Sequence, residues 1–523
     1  MSAAPSKLAI AGRIVTMDAE HQVLNQGVVY LEGERIVAVQ DAKAEPPAGF
    51  EAILKLETKG SIYPGLIELH NHLSYNALPL WDVPKKFSNR DQWAKGDAYR
   101  SLISGPMRVI GMQKDLTPAL TRYVEAKCLL SGVTTSQGVS LMSNTGIERF
   151  YVGSVRNVET GNHDDLPAAA TKISDVEATQ IDAFLKRLDG PGCVFLHLSE
   201  GTDAAARQHF LDLKLPNGKW AITKHLCGIH AVALEDADFN VLGNHSGSMV
   251  WSPTSNLLLY GQTANVKSAK RHGVRIGLGA DWSPSGSKNL LHELKMARIV
   301  AKHDEAFSDQ ELVSMVTRDA AGIVGWEKGI GSLEVGKRGD LMVVDGQTGD
   351  PYAHLLEALE TDISLVLIDG LPRAWGEGFK AVLGNGTERC SVGGQPRYLN
   401  FPKNEADPLV KPVSLAKATA SLGKALHNLK NLARALEAAG AGAVQKGWFL
   451  IDNEEEEITR TFFQGGIGAL KAARANLSVA ASRPLSELLE PIDLDPLTVP
   501  DDQEYVERMR AQQNLPAFVK AAL

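Results

Sequence analysis

Between Thr117 and Asp281 the chain alternates short apolar runs with stretches of helical period. Thr117 to Leu130 has helical spacing and ends at Gly132, and Val133-Thr134-Thr135 resumes a strand. Strands are expected at Phe150 to Val155, Cys193 to Leu198, Ile229 to Val232, Ser248 to Trp251 and Val274 to Ala280. Helices are expected from the capping-box pattern Ser174-Asp175-Val176-Glu177 through Leu188, from Glu235 to about Asn244, and from Asn265 to His272. Strands that alternate with helices imply a parallel sheet, and this many units points to a (β/α)8-type barrel. Leu290 to His303 and Asp309 to Val324 also read as helices.

Turn-separated strands flank this region on both sides. Leu8 to Leu56 is too short to bury much core alone. The β texture returns at Gly331 to Asp345 and at Ile363 to Ile368. The two flanks are therefore expected to build one small β-sandwich together. Asn385 to Asp407 reads as irregular polar linker, and the chain from Val413 on as helical. The expected division is residues 1–62 for the first half of the sandwich, 63–329 for the barrel, 330–403 for the second half, and 404–523 for a helical extension.

At 523 residues, a barrel with a companion domain fits the length. The net charge of −8 comes without a basic stripe, so nucleic-acid binding has no electrostatic support. No apolar run is long enough to span a bilayer, and Met1 to Lys7 lacks the pattern of a signal peptide. Cys128, Cys193, Cys227 and Cys390 form no Cys-x-x-Cys pair and read as buried thiols of a reducing compartment. A cytoplasmic protein is expected.

The chemistry begins at Pro64-Gly65-Leu66-Ile67-Glu68-Leu69-His70-Asn71-His72. In a strand, residues i and i+2 face one side, so His70 and His72 project together. Two neutral imidazoles make half of a divalent-metal site. His197, His230 and Asp281 stand at the carboxyl ends of expected strands, the end of a barrel that carries active sites. Glu200 lies three residues after His197. Of the other histidines, His209, His272, His292 and His303 are expected at the surface, and His225 and His245 are weaker candidates for the site. No Pro-Cys-x-x-Cys ligand run and no Gly-x-Ser-x-Gly element is present, which excludes the cysteine-ligated deaminase and serine-hydrolase designs. Gly243 to Gly247 does not follow a strand as a phosphate loop should.

In this order the motifs resemble those of the metal-dependent amidohydrolase superfamily. The resemblance rests on Pro64 to His72, His197-x-x-Glu200, His230, Ser252-Pro253-Thr254-Ser255-Asn256-Leu257, Gly279-Ala280-Asp281 and Gly336 to Leu341. It covers roughly residues 8–400 and is strongest for the branch of cytosine deaminase, guanine deaminase and triazine hydrolases. It implies a distorted barrel holding one divalent ion, zinc first and iron second. It implies His70, His72, His197 and Asp281 as ligands, with Glu200, His230 and Asp281 as acid/base groups. His230 stays open between an acid/base role and a ligand role. The implied reaction is attack of metal-activated hydroxide on an sp² carbon, cleaving a non-peptide C–N bond of a small cyclic or aryl-bearing compound. The family also suggests a homodimer or higher homo-oligomer.

Trp81, Arg90 and Trp93, in the loop after the histidine pair, could wall a pocket for a flat, partly polar molecule, or could simply pack on the barrel. Asn256 and Trp282 are assigned to the same pocket. Trp282 replaces the small residue expected there in nucleobase deaminases. Two other readings stand beside the deaminase: an amide, urea or carbamate hydrolase on the same site, and a non-catalytic scaffold. Scaffolds usually lose ligands, and every expected ligand type is present here.

Overall fold

The structure is a computed structural model and describes residues 7–94, 96–143, 147–172, 181–401, 407–439, 447–450 and 483–523. The two flanks meet in one nine-stranded sheet. Its pivot is the strand Lys55–Pro64, which pairs in parallel with Lys7–Val15 and antiparallel with Leu341–Asp345. The expected sandwich is thus a single hydrogen-bonded ladder, because one strand has partners from both flanks. The strand period sorts its side chains. Leu8, Ile10 and Ile14 join Ile62, Val343, Leu365 and Leu367 in one buried cluster. Ala9 and Ala11 face the other way, toward Val28, Tyr30 and Phe50.

The central region is TIM-barrel-like α/β. Its parallel strands fall in two sets. Leu66–Ile67, Val133–Ser136 and Arg156–Asn157 form one. Ala170–Lys172, Val194–Leu198, Leu226–His230, Ser248–Trp251 and Arg275–Leu278 form the other. A parallel bridge between Asn71 and Asp281 joins the end of the first set to the end of the second. Among the described residues the ladder does not run on into one closed ring. Gly65 permits the close start: a Cβ there would lie 2.3 Å from Thr134. Leu69, Phe195, Ile229, Val250 and Trp326 fill the interior beneath the site.

Several local expectations change. The expected strand Phe150 to Val155 is instead Glu148–Phe150, a bend, and Arg156–Asn157. The strand expected at Ile229 to Val232 is Leu226–His230, since His230 and Ala231 take positive φ and end it. The opening of the helix before Leu188 lies outside the described residues, and Ile181–Leu188 is helical. The supposed linker after Asn385 holds a hairpin, Glu388–Val392 with Gln395–Leu399, turning on Gly393-Gly394. A Gly-Gly pair between two β-prone runs is a turn signal, and charged residues masked it. The extension is not purely helical. Trp448–Leu450 adds a strand to Ser140–Ser143. Among the described residues, no helix is long and apolar enough to cross a membrane.

His209 and His303 are exposed and His272 is half-buried, but His292 is buried against Tyr505. Burial, with help from Lys295 and Lys288, pushes His292 down from 6.5 to about 3. Below pH 6.5 the unfolded chain takes up a proton that the native protein refuses. Stability is therefore expected to fall as pH drops from about 6.5 toward 3, by up to about 1.4 kcal/mol per pH unit from this group. Urea midpoints across pH 6.5 to 4.5 should fall less steeply in His292→Gln. Equal slopes in both proteins would rule this out.

Candidate metal centre

The carboxyl ends of the central strands converge on one buried cluster. His70 and His72 follow Leu66–Ile67, and His197 lies within Val194–Leu198 with Glu200 just beyond. His230 ends Leu226–His230, and Asp281 follows Arg275–Leu278. None of the six is more than 7% exposed. His70 Nε2 is 3.1 Å from Asp281 Oδ1, and His72 Nε2 is 3.6 Å from it. His230 Nε2 is 3.9 Å from Asp281 Oδ2 and 3.8 Å from Glu200 Oε2. Three triplets have donor atoms mutually within 4.8 Å: His70–His72–His197, His70–His230–Asp281 and His197–Glu200–His230.

The backbone is bent to make this cluster. Ser199, His230, Ala231 and Asp281 all have φ between 50 and 70°. Such non-glycine conformations cost of order 1–3 kcal/mol each and collect where a site over-determines them. Asp281 N donates to His70 O at 3.0 Å, and His72 N to Asp281 O at 2.6 Å. Gly279 allows that contact, since a Cβ there would lie 2.6 Å from the Cβ of His70.

Neighbours behind the rings set their tautomers. Gln137 Nε2 donates to Thr171 Oγ1, which turns its carbonyl toward Asn71 N and His70 Nδ1, 3.2 Å away. His70 Nδ1 therefore carries a proton, and Nε2 is the nitrogen turned to the cluster. Asn256 does the same for His230. Its Nδ2 donates to Thr263, and its Oδ1 sits 3.0 Å from His230 Nδ1. Asn256, assigned from sequence to the pocket, is thus engaged with the back of His230.

The donor chemistry fits a divalent ion. His197 Nδ1 is buried and forms no hydrogen bond, and His70 Nε2, also buried, meets only the Asp281 carboxylate. Burial, with His70, Arg90 and His230, holds His197 well below its ordinary value, so its ring is neutral and able to ligate. Burial also lowers His230, against the pull of Glu200 and Asp281. Burial pushes the Asp281 carboxyl up, but His70, His230 and His72 outweigh it and keep the group ionised.

Aromatic rings stand beside the cluster. Trp282 lies 5.4 Å from His72, 4.9 Å from Tyr75 and 6.0 Å from Trp93. Trp81 stacks with Phe87 further out, at 6.3 Å. Arg90 Nη1 is 3.9 Å from Glu200 Oε2. His225 and His245 stand apart, each bonded to a backbone carbonyl. Sequence reasoning missed Gln137 and Tyr260. Tyr260 lies four residues after Asn256 on the helix Pro253–Tyr260, and that spacing was the available signal.

The amidohydrolase family profile matches residues 182–372, a span that includes His197, Glu200, His230 and Asp281. The chain carries an amidohydrolase-family domain. It is 25% identical over 414 residues to the 5-methylthioadenosine/S-adenosylhomocysteine deaminase of Symbiobacterium thermophilum, covering 69% of this chain and 91% of that one. Among solved structures, an adenosine deaminase from Xanthomonas campestris with bound zinc aligns at a TM-score of 0.54 and 19% identity, over 71% of this chain and 94% of its own. The atrazine chlorohydrolase of Arthrobacter aurescens TC1, complexed with zinc, aligns at 0.55 and 18%, over 70% and 94%. At these identities the structural likenesses establish the fold. The amidohydrolase domain is TIM-barrel-like.

Proposed function

We propose that the protein is a metal-dependent hydrolase that cleaves a non-peptide C–N bond in a small cyclic or aryl-bearing compound, releasing ammonia as a deaminase does. The convergence of four imidazoles and two carboxylates in one buried cluster carries this reading. His70, His72, His197 and Asp281 hold one divalent ion, zinc, with iron as the alternative. Shared members among the three triplets support a single ion. A divalent ion at this position acidifies water to a pKa of about 7 and polarises the electrophilic carbon.

The protein's own groups do the rest. Ionised Asp281 accepts the proton of the attacking water. Glu200 carries a proton to the departing nitrogen. His230, its Nδ1 proton held by Asn256, offers its Nε2 lone pair as acceptor to the hydroxyl hydrogen of the tetrahedral intermediate. Trp282, Trp93 and Tyr75 flank a flat substrate, and Arg90 lies by its polar edge. The relatives named as deaminases of adenine-bearing compounds support an aminated heterocycle as substrate.

The same reading takes the eight parallel strands as a distorted (β/α)8 barrel over residues 63–329. Residues 1–62 and 330–403 are its β companion, and 404–523 its extension. We place the protein in the cytoplasm as a homodimer. The unpaired thiols of its four cysteines support the first assignment, and sedimentation checks the second.

The test uses metal-replete protein on two substrate panels. Ammonia release from aminated heterocycles is expected, with a fall of about 10²–10⁴-fold in Glu200→Gln. Amine release from aryl ureas or amides instead would select the amide-hydrolase reading. Turnover of neither panel would end the proposal.

A further inference from the structure

The proton carrier Glu200 is held by a residue outside the ligand cluster. Tyr260 Oη donates to Glu200 Oε1 at 2.8 Å. Trp93 Nε1 donates to the same phenol oxygen at 2.9 Å. Tyr260, Trp93 and Glu200 are each at least 93% buried. An indole nitrogen can only donate, so Trp93 occupies a lone pair of the phenol oxygen. The phenol hydrogen then has one buried acceptor, Glu200 Oε1. Burial, reinforced by Glu200, keeps that phenol protonated.

The two oxygens of Glu200 are thereby made unequal. Oε1 is tied to Tyr260, whereas Oε2 faces His230 Nε2 and Arg90 Nη1. We infer that Tyr260 is the positioning residue of the proton shuttle: it anchors one Glu200 oxygen so that the other alone carries the proton, and Trp93 fixes the direction of that anchor. The inference rests on the proton-carrying role given above to Glu200.

The arrangement has a second consequence. Trp93 belongs to the short helix Arg90–Ala94, in the segment after the metal pair. Arg90 N also donates to Glu200 O at 3.3 Å. Asn256 and Tyr260, one turn apart, serve His230 and Glu200 respectively. One helix therefore sets both groups that handle the leaving nitrogen and the oxygen of the intermediate, and the Arg90–Ala94 segment is linked to Glu200 through Trp93 and Tyr260.

Tyr260→Phe keeps the ring and removes only the donor. It should lower kcat by about 10- to 100-fold, the range for a lost hydrogen bond to a charged group. KM and metal stoichiometry should stay at wild-type values. Trp93→Phe should lower kcat less, because the phenol keeps its hydrogen. In the Glu200→Gln background, Tyr260→Phe should cost nothing further, since the group it positions is gone. A purely structural Tyr260 would give additive losses in the double variant, and that overturns the inference. So does wild-type kcat in Tyr260→Phe when Glu200→Gln is inactive. Wild-type kcat in Glu200→Gln itself would instead overturn the shuttle role. A crystal structure of Tyr260→Phe is expected to show a rotated Glu200 carboxylate. An unmoved Oε1 would refute the anchoring without any activity assay.

Discussion

His70→Ala combined with His72→Ala is expected to abolish metal retention and to lower turnover by about 10³-fold or more. The pair supplies two of the imidazole nitrogens in the cluster, and two of the three triplets vanish without them. Removing the ion from the wild-type protein with a chelator should show a second effect. It leaves His197 Nδ1 buried without a hydrogen bond. Such an atom costs about 1–3 kcal/mol. A ligand that binds only the native state also adds about 4 kcal/mol at a thousandfold excess over Kd. Tm should therefore fall on chelation and recover with one equivalent of zinc. Metal analysis and calorimetry check both points. A double variant that keeps one equivalent of metal and normal turnover would remove the foundation of the site.

Asp495→Ala is expected to be among the most destabilising single changes in the molecule, at about 3–5 kcal/mol. Asp495 Oδ2 lies 2.6 Å from Lys127 Nζ, and Oδ1 lies 2.6 Å from Lys288 Nζ. All three side chains are at most 3% exposed. Without the carboxylate, two ammonium groups remain in the interior. Lys288 keeps Asp502, at 2.9 Å, but among the described residues Lys127 keeps only the uncharged Asn76 O and Ser283 Oγ. Lys127→Met added to Asp495→Ala should recover part of the loss, because it removes the stranded charge.

The effect should reach the metal centre. Asn76 accepts from Ser283 N and donates to Asn71, the neighbours of Asp281 and the histidine pair. Weaker zinc binding is expected beside the lower urea midpoint. A midpoint equal to wild type would refute the argument. The C-terminal segment also grips the chain over the site: Gln512 bonds Trp81 O and Val83 N, and Asn514 bonds Lys85 O.

Elements with a strong local period were legible. Thr117–Leu130 and Ile363–Ile368 match their expected bounds, and Ser248–Trp251 does too. Those that failed were governed by contacts far away in sequence. Arg156–Asn157 is a strand because Thr135 and Ser136 pair with it. Trp448–Leu450 is a strand because Ser140–Ser143 offers an edge. The helix expected over Asp309 to Val324 breaks between Ser314 and Arg318, where Thr317 leaves helical φ and ψ.

In the site, His70, His72, His197, Glu200, His230 and Asp281 were legible by residue type and by position at strand ends, and the structure brings them together. Their supporting groups were not. Gln137 and Tyr260 are ordinary polar residues until folding places a ligand or a carboxylate beside them. His292 looked like a helix-surface histidine, and only the packing of Tyr505 against it made it buried.

The sequence by itself determined the alternation of strand and helix, the two-residue spacing that puts His70 and His72 on one side, and the donor chemistry of the cluster. These follow from backbone periods and side-chain chemistry, which act over a few residues. Tertiary structure alone decided that Asp281 meets His70 across the chain, that Ser199, His230 and Asp281 take left-handed backbone, that Tyr260 holds one oxygen of Glu200, and that Asp495 is buried between Lys127 and Lys288. Those choices depend on which distant segments share a low-dielectric interior, where each buried polar atom must find a partner, and no local period encodes that.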